Sequence, residues 1–373
     1  MRLILFLLPI SLWAENTDAR ITRLAARVKA TPAEAAVRVE LAGAYLQKMR
    51  ETADGDYLNR AGQLVENTLK SQPGHYEARR RRLEIELMRH QFAEVITAGR
   101  KLLTERANDI VVLGLVGDAQ MERGDYDGAA DTYQRMGDLR PGLASYNRIA
   151  FYRFVTGDAT GAIEAMRMAI RAGAGGEPEN LAWCLTDLGH MLRKTGAFNE
   201  AERAYREALR QFPGYHAALG GLGRTQAERG QTGAAIESVL AAQRQAPFPE
   251  YAGLLAKFYR KTGQADAEKR QLALLDVADK LDQAAGEAAN RQLALAYADL
   301  EHRPARSLAL ARAELAVRQD VYTYDALAWA LYRNQQYAAA DEAMTKALAQ
   351  QTPEPSFRAH ADAIQAALSV SQK

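Results

Sequence analysis

Cysteine is almost missing from this sequence. Cys184 is the single one among 373 residues, which excludes an internal disulfide and reads as a small buried apolar side chain on a helix. Histidine is sparse too: His75, His90, His190, His216, His302 and His360 are scattered, and none stands in H-E-x-x-H, C-x-x-C-H or another ligand spacing. There is no G-x-S-x-G elbow and no G-x-G-x-x-G fingerprint. The glycine-rich stretch from Gly173 to Pro178 lacks the G-x-x-x-x-G-K-S/T pattern that cradles phosphate. Acidic pairs such as Glu200 with Glu202, or Asp127 with Asp131, fall on ordinary helix surfaces. Asp54 and Asp56 flank Gly55, but Val65 stands where a calcium loop needs glutamate. No catalytic, cofactor or metal residue is expected, and the chain does not read as an enzyme.

Excess charge of one sign is also lacking. Lys and Arg number 48 against 46 Asp and Glu, a net charge of +2 that falls to +1 without Arg2. No global field exists to collect nucleic acid or anionic lipid. Long apolar runs occur only at the start, where Met1-Arg2 precedes LILFLLPISLW and Ala14. A positive start, a short apolar run and a small residue make 1–14 a signal peptide, and the run falls short of the roughly 20 residues a bilayer requires. Leu12 replaces the small residue usual at the third position before the cut, and no cysteine near the cut supports lipidation. Export to the periplasm or beyond is expected, with no stable membrane insertion after cleavage.

At 48% hydrophobic and 25% charged residues the composition is that of an ordinary soluble protein. A chain this long would normally build two or three globular domains. The stretch from Ala182 to Pro213 suggests another solution. Leu185, Leu188, Gly189 and Leu192 form one helical stripe; Ala201, Ala204, Tyr205, Ala208 and Leu209 form a second, with a turn at Thr195-Gly196 between them. Gly189, Ala201 and Ala208 are small where two helix axes would approach, and Pro213 ends the unit. The same register recurs elsewhere. Gly124, Gly157, Gly196, Gly230 and Gly263 are 33, 39, 34 and 33 residues apart, and Ala129, Ala162, Ala201 and Ala235 keep step with them.

Leu188-Gly189, Gly196-Ala197-Phe198, Ala201, Tyr205, Ala208 and Pro213 make this unit resemble the tetratricopeptide repeat, a helix–turn–helix of 34 residues, with Leu192 replacing the usual tyrosine of the first helix. The resemblance implies an all-α, right-handed superhelical solenoid, in which each hairpin buries its apolar face on its neighbours. About eight repeats are expected over 32–352, clearest at 110–249 and 321–352. An N-terminal helix at 15–31 and a capping helix with tail at 353–373 flank them. Thr31-Pro32-Ala33-Glu34 reads as a capping box starting a helix, and Ala53 to Asp56 as an inserted loop in the first turn. His90-Gln91-Phe92 stands at the turn of a degenerate second repeat, and Arg79 to Arg82 reads as a solvated face or an anionic contact.

The resemblance also implies a use. Such arrays bind extended or helical peptides in a concave groove lined by first-helix positions. Here those positions hold Asn147, Phe151 and Phe154; Trp183, Thr186, His190, Arg193 and Lys194; Gly220 and Arg224; Lys257, Arg260 and Lys261; and Tyr322, Trp329, Tyr332 and Arg333. The aromatic residues have a second reading, as fillers between helices. Arg193, Arg224 and Arg260 share one wall, so they are expected to form a basic ladder for an acidic-aromatic segment of a protein partner. An exported scaffold or adaptor is the leading expectation. A non-catalytic accessory subunit positioning an envelope enzyme or biosynthetic complex is the alternative.

Overall fold

The computed structural model describes residues 16–286 and 288–371, and these are all-α, with 20 helices and no strand among them. The leader expected at 1–14 lies outside the described residues. Helix α1 (Thr17–Ala30) comes first and α20 (Pro355–Ser371) last. Between them run nine hairpins, one more than expected. They begin with α2 (Ala35–Thr52) and α3 (Gly55–Ser71), α4 (Tyr76–Met88) and α5 (Phe92–Glu105), and α6 (Ile110–Glu122) and α7 (Tyr126–Leu139). Next are α8 (Leu143–Val155) and α9 (Ala159–Ala172), α10 (Pro178–Lys194) and α11 (Phe198–Gln211), and α12 (His216–Glu228) and α13 (Thr232–Gln245). The last are α14 (Pro249–Lys261) and α15 (Ala265–Ala284), α16 (Arg291–Asp299) and α17 (Pro304–Val317), and α18 (Val321–Arg333) and α19 (Tyr337–Leu348).

Every hairpin reverses through a residue in the left-handed region, and the turn at Glu301 holds a second one, Arg303. Gly124, Gly157, Gly196, Gly230 and Gly263 hold it at five turns, and Ala53, His90, Glu301 and Gln335 hold it at the other four. In eight of the nine, the next residue's N–H reaches back to the carbonyl five residues earlier, as from Ala197 to Leu192 at 2.8 Å and from Gln336 to Leu331 at 3.0 Å. That bond closes a Schellman turn, which satisfies carbonyls the helix end leaves free and fixes how the chain leaves it.

The chain divides into two compact units, Met1–Arg81 and Arg82–Lys373, with the boundary inside α4. In the first, Leu24 of α1 packs with Val37, Leu41 and Ala44 of α2. Three sequence expectations fail in this part of the chain. Thr31 closes α1 by donating its N–H to Arg27 O at 2.8 Å, and a turn in which Glu34 N–H donates to Thr31 O takes up the supposed first helical residues, so α2 starts at Ala35. Nor do the extra residues near Ala53 form a loop, since α2 absorbs them as added helix and only Ala53 and Asp54 connect it to α3. Arg79 to Arg82 are not a solvated face either. All four are half-buried and engaged, Arg80 with Glu77 at 2.5 Å.

In the second unit, each first helix packs on its own second helix and on the next hairpin. Tyr205, fully buried, shows why small residues recur: its ring lies against Gly189 of its own hairpin and Gly221 of the next. A Cβ on Gly189 would sit 2.5 Å from Tyr205 Cε1. Tyr133 covers Gly117 in the same way.

This unit also folds back on itself. Gln319 N–H donates to Glu122 O at 2.9 Å and Val321 N–H to Tyr126 Oη at 3.0 Å, while Thr352 Oγ1 donates to Val155 O at 2.5 Å. Met121, Ala129, Tyr133 and Val155 accordingly share one apolar core with residues from Ala252 to Ile364. A separate core runs from Ala150 to Leu222.

Two substitutions test this packing. Gly189→Ala overpacks against Tyr205 and should cost about 1–3 kcal/mol in chemical denaturation. Ala201→Arg buries an unpaired ion and should cost about 3 kcal/mol or more. Amide protection in the Ala201 variant should be lost first across 150–222, with the core around Leu293 and Leu310 retained. Uniform loss along the chain would contradict two separate cores.

Candidate functional site

The first helices of consecutive hairpins present the residues singled out for partner binding, and the structure gives them different environments. On α8, Asn147 is buried with its Oδ1 unpartnered, and Phe154 is buried at 2% exposure. Phe151, one helical turn before Phe154, is 38% exposed, and Trp183 on α10 is equally exposed. Cys184, next to Trp183, is buried, and burial, reinforced by the Asp187 charge, pushes its thiol up to about 12. It is therefore an inert packing group.

All the basic positions except Lys261 are answered by a carboxylate of this chain. Arg193 pairs with Glu228 at 2.5 Å, Arg224 with Glu250 at 2.6 Å and Arg260 with Glu268 at 2.8 Å. Lys257 pairs with Asp299, and Arg260 also donates to Leu300 O at 3.2 Å. The expected ladder is thus neutralised along its length, although Arg193 Nε stays buried without an acceptor. His190 Nδ1 lies 2.8 Å from Tyr205 Oη, and burial together with the cations Arg193, Lys194 and Arg224 holds its pKa well below the usual value. It is neutral near pH 7.

Lys194 joins distant parts of the unit. Its Nζ meets Glu354 at 2.6 Å and lies 5.5 Å from the Phe154 ring centre and 5.1 Å from that of Tyr322. Burial opposes the charge on Glu354, but Lys194, with Arg193 and Arg224 nearby, more than offsets this and keeps the carboxyl below its ordinary value. Asp187 has no such partner. No hydrogen bond or ion pair of its own is found among the described residues, and burial, only partly offset by Lys194, raises it to about 7.

At the far end, Trp329 is locked in place. Its Nε1 donates to Asp299 Oδ1 at 2.9 Å, and its ring stacks on Tyr332 at 4.8 Å and on His360 at 4.1 Å, with the Arg333 guanidinium 4.4 Å from the ring centre. His360 in turn meets Asp325 at 2.7 Å. This aromatic cluster fixes α20 onto α18.

Sequence reasoning placed the basic residues but missed their partners. Glu228 falls one 34-residue repeat after Lys194, so aligning repeats would have put it beside Arg193. Glu354 carried no such signal, because it reaches Lys194 only through the fold-back.

The chain carries tetratricopeptide repeats: models of that family match residues 117–177 and 192–258. No curated protein matches it. Among solved structures, a chain of the APC/C hetero-tetramer Cut9-Hcn1 is similar, with 14% identity and a TM-score of 0.55 over 92% of this chain and 58% of that one. The present chain thus spans little more than half the length of that relative, and the likeness shows the fold, an all-α solenoid. Lesser likenesses are to Pseudomonas aeruginosa PilF, at 17% identity over 63% of this chain and 98% of that one with a TM-score of 0.42. The type IV pilus biogenesis factor PilW follows at 19% over 65% and 92%, with a TM-score of 0.38. Tetratricopeptide arrays are typically non-catalytic scaffolds that bind protein partners. Among the described residues no helix is long and apolar enough to cross a membrane.

Asp187 yields a pH prediction. Its carboxyl titrates near 3.8 when unfolded and near 7 when folded. Between those values the folded chain holds the extra proton, so ionising Asp187 weakens the fold progressively as pH rises through that window. Asp187→Asn should leave thermal stability unchanged near pH 4 and raise it above pH 7. A stability difference that did not grow with pH would show Asp187 to be solvated.

Proposed function

We propose that this chain is an exported scaffold that holds an acidic-aromatic segment of a protein partner against the first helices of α8 to α15. The observation carrying this reading is the contrast between Phe151 and Trp183, both 38% exposed, and their buried neighbours Phe154 and Cys184. Packing has no use for two large exposed aromatic faces on adjacent first helices, whereas a partner's apolar side chain does. The supporting chemistry is ionic. Arg193, Arg224 and Arg260 already hold carboxylates, and a partner's acidic groups would exchange with Glu228, Glu250 and Glu268. Such an exchange of partly exposed pairs contributes only about 0–1 kcal/mol each. Affinity then rests on aromatic burial and falls modestly as salt rises. Export is supported by the leader-like start of the chain, from Met1 to Ala14.

Capture from the periplasmic fraction tests the groove. The double substitution Phe151→Ala with Trp183→Ala should lower recovery of the partner about tenfold or more, with circular dichroism unchanged because both side chains are exposed. Undiminished recovery would remove the groove from consideration. Arg193→Gln with Arg224→Gln is the better probe of the ionic part, since reversal to glutamate would set like charges beside Glu228 and Glu250. Intact mass of protein expressed with its own start should show cleavage near Ala14, and a retained Met1 would sink the export reading.

A further inference from the structure

Helix α15 departs from the pattern of its unit. It has 20 residues, while the second helices of the other hairpins there have 12 to 14. Its inner side is committed: Gln271, Leu275 and Asp279 are buried, Asp279 receives Arg306 at 2.7 Å, and Tyr297 Oη donates to Leu275 O at 3.3 Å. The outer side is apolar. Leu274, Val277 and Leu281 are 47%, 50% and 65% exposed. No other described helix carries more than one exposed large hydrophobic residue. With Ala284 they follow the alternating three- and four-residue steps of a heptad seam, a stripe suited to another helix.

Charge decides what kind of helix. Lys269 and Lys280 border the stripe on one edge and Arg270 stands at its N-terminal end, all exposed and without an ion pair among the described residues. The acidic residues on the inner side are already engaged, Glu268 with Arg260, Asp276 with His302 and Arg303, and Asp282 with Asn290, which leaves Asp266 as the exposed exception. The free charge beside the stripe is therefore positive. We propose that the outer face of α15 is a docking surface for an acidic amphipathic helix of a partner protein. Its apolar seam would cover Leu274, Val277 and Leu281, and its flanking carboxylates would meet Lys269, Arg270 and Lys280.

A second copy of this chain fits less well. Antiparallel pairing that sets Val277 against the other copy's Leu281 brings the two Lys280 side chains together, and parallel pairing sets Lys280 against Ala285. A membrane surface fits poorly as well, because the helix has no aromatic residue to sit among headgroups. The proposal stands apart from the groove, since Phe151 and Trp183 take no part in it.

The probe is a fluorescent designed peptide of about three heptads, with Leu and Val along the seam and Glu on both flanks. Fluorescence anisotropy with the full chain should show saturable binding that weakens with salt. Val277→Asp with Leu281→Asp should reduce affinity about tenfold or more, and so should Lys269→Glu with Lys280→Glu, which leaves the apolar stripe intact and guards against a folding defect. A peptide with Lys on its flanks should not bind. Equal binding of the two peptides, or undiminished binding by either variant, would overturn the proposal. So would a sedimentation dimer or anionic-vesicle binding that the Val277 and Leu281 variant abolishes, by assigning the face to a second copy or to lipid.

Discussion

The left-handed residue between the two helices of each hairpin is the constraint on which the rest depends. It lets the chain leave the first helix through a Schellman turn, with the 2.8 Å bond from Ala197 to Leu192 as its clearest instance. The departure angle it sets brings the second helix back along the first, so that Tyr205 can lie on Gly189 and reach Gly221 of the next hairpin. Where glycine occupies the turn this costs little. At His90, Glu301 and Gln335 a side chain is held at positive φ, a conformation disfavoured by roughly 1–2 kcal/mol. Packing of the hairpin must supply that energy, which is consistent with Leu331 and Ala340 being buried on either side of Gln335.

That constraint explains what the sequence made legible. The turn glycines at 124, 157, 196, 230 and 263 revealed the register because glycine is the residue the conformation favours, and the repeats between them were read with the least difficulty. Hairpins turning at Ala53, His90 or Glu301 carry no turn glycine and show only apolar spacing, so the register is weakest there, whereas 321–352 is clear despite Gln335 because its alanines and leucines keep the pattern. Local detail misled in the first unit, where Pro32 and Glu34 fit a capping box as well as the turn they form. The neutralised ladder was half legible: helical period assigned Arg193, Arg224 and Arg260 to one wall, while their partners sit in other helices and answer to packing rather than to local pattern.

The fold-back lay outside the reach of repeat logic. A solenoid in which every hairpin touches only its neighbours predicts energetics that add along the chain. In the second unit, the contacts of Glu122 with Gln319 and of Val155 with Thr352 tie hairpins almost two hundred residues apart, and one apolar core spans both. Loop closure over such a separation costs only a few kcal/mol, since the penalty grows with the logarithm of length. Several hydrogen bonds, the Arg318–Glu122 ion pair and shared apolar burial are enough to offset it. Charges near the closure lose water in the process. Lys194 and Glu354 retain theirs by pairing, whereas Asp187, lacking a partner, is driven toward its neutral form.

Self-satisfaction of charge narrows where this molecule can meet others. Groove cations that already hold carboxylates give a newcomer little net ionic energy, because each new pair replaces an old one. What a partner can add is the burial of surface still exposed to water. In the second unit that surface is uneven: single exposed large hydrophobic residues stand on a few helices, Phe151 and Trp183 face outward on consecutive first helices, and Leu274, Val277 and Leu281 line one side of α15. Neither group is demanded by the hairpin packing, since Phe154, Cys184 and Leu275 on the same helices already fill core positions. A partner's binding energy would therefore come from places the fold itself leaves unused, and the charges around them, paired near Trp183 but free beside Leu274, Val277 and Leu281, would select that partner rather than hold it.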